Sequence, residues 1–123
     1  MTTIATKTAR TFQTSVSNSA ADTTTGTGVN LTTALGCTIT AKITNGATGP
    51  TIGCNFRIDI SVDNSNWKQY VLYDGSANTV NNGVYELAYD LPAPVMYART
   101  VFTGNTAEAV TVEAFGHELT SMG

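Results

Sequence analysis

The chain has 123 residues, of which only 12% are charged, and a net charge of −3; threonine fills 23 positions. That length suits one domain and is too short for two well-packed ones. Sparse charge without a basic stripe excludes a nucleic-acid interface, and no run of 18 apolar residues offers a membrane span. β-branched threonine fits a pleated, half-solvated surface, whereas Leu, Glu, Lys and Gln never gather at a 3.6-residue spacing. The expectation is an all-β protein.

Residues 1–10, "MTTIATKTAR", are small and polar with one isoleucine, the composition of an N-terminal arm. They carry no secretory leader pattern. Phe12, Thr14 and Val16 allow a first strand, followed by a polar loop with glycines at 26 and 28 and a brief strand at 29–33. In "CTITAKIT", Cys37, Ile39, Ala41 and Ile43 share one face. Next, Cys54, Phe56, Ile58, Ile60 and Val62 alternate with Asn55, Arg57, Asp59 and Ser61, the mark of a half-buried antiparallel strand. The turn chemistry of "NGATGPTIG" between them predicts a hairpin.

Asp63-Asn64-Ser65-Asn66 breaks the chain before Trp67, and Lys68–Tyr73 forms another strand. Val84–Asp90 places Tyr85, Leu87 and Tyr89 on one face and stops at Leu91-Pro92-Ala93-Pro94. Strands at 95–103 and 109–115 follow, the last with Val110, Val112 and Ala114 inward. Turn signals roughly every ten residues predict an antiparallel β-sandwich or jelly roll of about 7–9 strands. The domain spans residues 11–117 and residues 118–123 form a short C-terminal tail.

Chemistry is sparse. His117 stands alone near the C-terminus without a nucleophile and an orienting group. Cys37, Cys54 and His117 lack the paired spacings of a zinc site. Asp63–Asn66 offers four oxygen-bearing side chains, but Asp and Asn also hydrogen-bond their own turn backbone, and a calcium loop is longer and richer in carboxylates. Paired strand acids such as Asp59/Asp63 and Glu113/Glu118 read as solvating residues. No catalytic residue, cofactor or metal is expected, and the protein is not read as an enzyme. The two thiols are expected to be free and buried, as in a chain folded in a reducing cytoplasm. Arg99 points away from the core, toward Asp59 or Glu113 on a neighbouring strand.

The segment "IDISVDNSNWKQY" with "YELAYDLPAPVMYARTVFTGNTAEAVTVEAF" resembles the β-sandwich capsid decoration (cement) proteins of tailed bacteriophages. The features that carry the likeness are the Ser-Val-Asp-Asn-Ser-Asn-Trp strand and turn, the Pro-bounded Tyr97-Ala98-Arg99 strand, and the Gly104-Asn105 turn into a Val-rich strand. The resemblance covers about half the chain. It implies a structural virion protein, made in the host cytoplasm, that docks as a homotrimer on the capsid surface with the major capsid protein as partner. Neither nucleic acid nor membrane is implied as a partner. The candidate capsid contacts are Thr2, Thr3, Ile4, Lys7 and Arg10. The rival readings are a carbohydrate-binding module, with Trp67, Tyr70 and Tyr73 as its ligand face, and a phage tail or neck connector.

Overall fold

The computed structural model describes residues 5–122. Its strands are β1 (Ala5–Asn18), β2 (Thr23–Thr25), β3 (Val29–Asn30), β4 (Cys37–Asn45), β5 (Asn55–Ser61), β6 (Lys68–Tyr73), β7 (Val84–Leu91), β8 (Tyr97–Thr103) and β9 (Val110–Met122). They form two antiparallel sheets, β1-β9-β4-β7 and β2-β8-β5-β6, with β3 also paired to β8. The chain is therefore an all-β antiparallel sandwich, with no helix among the described residues.

The core follows from alternation. Ile39, Ala41 and Ile43 of β4, Val110, Val112 and Ala114 of β9, and Ala98 and Phe102 of β8 are all buried between the sheets. Phe56 and Phe102 lie at the centre with ring centroids 5.0 Å apart. Phe12, the one fully buried apolar residue of β1, reaches this core over Gly116. A Cβ at 116 would stand 3.2 Å from Cys37 Sγ and overlap the Phe12 ring edge, so this glycine makes room for the aromatic.

Three expectations change. Cys37–Thr44 and Cys54–Val62 do not form a hairpin: β4 pairs with β7 and β9, β5 with β6 and β8, and the loop between them crosses from one sheet to the other. The supposed arm is strand from Ala5 onward, with Lys7 opposite Leu119 and Arg10 opposite Gly116. The supposed tail belongs to β9, which runs through 118 to Met122. Main-chain pairing orders both segments, and pairing makes no demand on side-chain hydrophobicity.

Strand β5 also departs from simple alternation. Asp59 and Ser61 are buried while Val62 is 74% exposed, because the strand ends at Ser61 and the outer face is itself covered near Asp59. One end of the sandwich gathers the loops 19–22, 46–54, 74–83 and 104–109. The opposite end gathers 31–36, 62–67 and 92–96, together with both described chain ends.

Candidate functional site

Antiparallel pairing sets Asp59 of β5 directly opposite Arg99 of β8, while Arg57 lies two residues earlier on the same outward face. The Asp59 side chain is only 3% exposed, although it lies outside the inter-sheet core. Its Oδ1 accepts from Arg57 Nε at 2.7 Å; its Oδ2 accepts from Arg57 Nη2 at 3.2 Å and Arg99 Nε at 3.1 Å. Two half-exposed guanidinium groups thus share one buried carboxylate. Trp67 completes the assembly, its ring centroid 4.6 Å from the Arg99 guanidinium carbon, a cation–π contact.

Local geometry locks Trp67 into this place. The Asp63 carboxylate accepts the backbone N–H groups of Ser65 and Asn66 and the side chains of Ser61 and Asn66. These bonds favour the charged form and hold its pKa well below the usual carboxylate range. Asn64 takes a left-handed conformation at φ 60° within the same turn. On the other side, a Cβ at position 28 would overlap Asn64 Oδ1 and stand 2.8 Å from Trp67 Cζ2, so Gly28 lets the turn close onto the sheet. Both oxygens of Asp63 serve the turn, and the tetrad reads as a corner. Trp67 is the corner's packing residue.

Tyr70 and Tyr73 lie elsewhere. The β5–β6 register slips by one residue between Ile58 and Asp59, leaving Tyr70 as the extra residue of a bulge. Tyr70 meets Tyr89 edge-on at 6.0 Å, and Tyr73 packs on Tyr89 and Phe56 at 6.3 and 6.2 Å. The three aromatics singled out in the sequence therefore do not form one flat platform. Tyr70 instead helps line a groove of about 340 Å³ with Ile60, Val62, Lys68, Pro92 and Met96.

Arg10 is structural in this fold. Its Nη1 donates to Glu118 Oε2 at 2.9 Å and to the Asn30 carbonyl at 3.0 Å, tying β1 and β9 to the facing sheet. Lys7 is exposed three residues away, and Thr2, Thr3 and Ile4 lie outside the described residues. His117 is exposed on the outer face opposite Thr38. Cys37 and Cys54 are free and buried, and burial pushes both thiols up to about 11; Glu118 adds to the rise at Cys37.

Sequence reasoning reached Arg99 and its link to Asp59 through outward alternation. It missed Arg57, whose Nε and Nη2 bond the same carboxylate; the Arg57/Asp59 spacing of two was the available signal. The shared face appears only when β8 is laid against β5.

No family model matches the chain, and no curated protein matches it. Among solved structures it is similar to the exported protein XepA of PBSX, at 14% identity and TM-score 0.61, over 93% of this chain and 37% of that one. The chain therefore spans little more than a third of XepA's length. It is also similar to the SPBc2 prophage-derived protein YomS, at 18% identity and TM-score 0.51, over 95% and 97% of the two chains. The K1 cleaved adhesin domain of Lys-gingipain from Porphyromonas gingivalis W83 matches at 9% identity and TM-score 0.57, over 94% and 99%. These likenesses are likenesses of fold: phage-derived proteins and a bacterial adhesin domain share this two-sheet sandwich.

Proposed function

We propose that this protein is a non-catalytic structural component of a tailed-phage virion that binds the outside of the assembled capsid and stabilises it. The observation that supports this reading is the fold shared with two phage-derived proteins along 93% and 95% of the chain. The partner is the major capsid protein and the working form a homotrimer, made in the host cytoplasm. Such a protein stabilises a lattice by binding the assembled form better than free capsid subunits. Three linked copies multiply modest contacts through effective concentration.

The contact is assigned to the end where β1 and β9 emerge, with Thr2, Thr3, Ile4 and Lys7 as its residues. Arg10 is left unchanged in the test because its Nη1, which donates to Glu118 and to the Asn30 carbonyl, also ties the fold together. Deleting residues 2–10 would strip the β1 half that pairs with β9, so the cleaner variant deletes residues 2–4 and adds Lys7→Ala. Co-sedimentation with expanded capsids should fall at least tenfold for this variant while its thermal unfolding stays unchanged. Unchanged binding would move the contact elsewhere on the surface. No binding by the parent protein would overturn the decoration reading itself. Light scattering should give three times the 12.9 kDa chain mass, and a strict monomer would remove the multivalent mechanism.

A further inference from the structure

We propose that the outer face of the β2-β8-β5-β6 sheet docks a carboxylate-bearing protein segment, with Arg99 as the receiving fork. Positive charge is in local excess at this cluster. Arg57 and Arg99 share the single carboxylate of Asp59, so these three residues together carry about +1 on a chain whose total is −3, while the neighbouring Asp63 carboxylate is taken up by its own turn. Arg99 gives only its Nε to Asp59, and no hydrogen bond from its two terminal nitrogens is made among the described residues. Those two nitrogens form the end-on pair that matches a carboxylate in a bidentate bond.

The fork is also held in place. Asp59 fixes its inner edge and Trp67 stacks on its plane, so little side-chain freedom remains to be lost on binding. On the same outer face Leu72, directly opposite Arg57 in the sheet, is 50% exposed and extends the surface with an apolar side chain. Arginine and tryptophan are among the residues enriched at interface hot spots. Charge complementarity sets the occupant: an acidic segment meets the excess positive charge. A sugar is disfavoured, because Arg99 covers one face of the Trp67 ring and Gly28 crowds its edge.

The inference stands apart from the capsid reading, since its test contains no capsid. Trp67 is the only tryptophan, so its emission reports directly on the group stacked against Arg99. Titration with a hexaglutamate peptide at low salt should give a saturable emission change, absent with hexaglutamine and weakened by added salt. Arg99→Lys keeps a cation beside Asp59 but loses the fork, and should weaken binding at least tenfold. Leu72→Glu alters an exposed side chain and sets a carboxylate opposite Arg57, which cancels the excess positive charge and should abolish binding. Equal affinity in both variants and the parent, or no response to the peptide at all, would overturn the proposal. Preference for hexagalacturonate over the peptide would overturn it in favour of an acidic sugar. A mass that falls to that of the single chain on Leu72→Glu would show that a second copy covers the face instead.

Discussion

The two ends of the sandwich are closed by different chemistry. At the end carrying the loops 46–54, 74–83 and 104–109, buried asparagines hold the chain with neutral hydrogen bonds. Asn18 Nδ2 donates to Asn105 Oδ1 at 2.6 Å, Asn105 Nδ2 donates to the carbonyls of Asn18 and Glu108, and Asn45 Nδ2 donates to those of Asn78 and Val80. At the opposite end the fastening is ionic, through Arg10 and Glu118, and apolar side chains such as Val62 and Met96 stay exposed. Both ends keep apolar side chains exposed, Ile52 and Val80 at the asparagine end and Val62 and Met96 at the other, so what separates them is neutral against ionic fastening.

Breaking the asparagine end should have the largest effect. Asn105→Ala removes the donor to the carbonyls of Asn18, Ser19 and Glu108 and the acceptor for Asn18 Nδ2, leaving buried groups unsatisfied. A loss of about 2–4 kcal/mol is expected in denaturant unfolding. A loss under ~0.5 kcal/mol would mean that this network holds nothing together. The outer-face cluster comes next. Asp59→Ala leaves Arg57 and Arg99 facing each other without their anion and should lower stability by about 1–3 kcal/mol. Because both guanidinium groups reach water, part of that penalty is relieved by solvent. The ionic end follows. Arg10→Ala strands buried Glu118 and should cost roughly 1–2 kcal/mol, whereas Lys7→Ala, at an exposed site, should stay within ~0.5 kcal/mol. Equal effects of those two would contradict their different surroundings.

Much of the sandwich was legible in the residues because alternation is local. Cys37 to Ile43 and Val110 to Ala114 announce their inward faces without reference to any partner. Pairing is not local, and the β4–β5 hairpin failed for that reason: a loop rich in glycine and asparagine turns equally well within a sheet or across to the other. The edge strand β1 was hidden differently. It buries only Phe12 fully among its apolar side chains, so its sequence reads as polar although its backbone is paired with β9 through eleven partner positions. At the outer face, Arg57 and Asp59 looked like ordinary solvated strand residues. Only the pairing with β8 brings Arg99 against Asp59, with Trp67 of the β5–β6 turn stacked on it, and takes the carboxylate out of water.

The cysteines sharpen the contrast between the ends, since Cys37 opens β4 at the ionic end and Cys54 precedes β5 at the asparagine end. Each thiol has its pKa raised from 9.0 to about 11 in the fold. Between those values the folded chain binds more protons at the thiols than the unfolded one, so their contribution to stability is flat below about pH 9 and falls as pH rises toward 11. The fall by pH 10 should be on the order of 1 kcal/mol per thiol, and Cys37→Ala with Cys54→Ala should flatten the profile. Labelling rates then separate the two ends. With one cysteine left at a time, Cys37 should react with a disulfide reagent at least tenfold faster than Cys54. Cys37 lies under Gly116 of the terminal strand pair, which can open locally, while Cys54 is enclosed by loops that the asparagines hold. Equal rates, both tracking global unfolding, would show that the two ends open together and that the ionic end is no looser than its neutral counterpart.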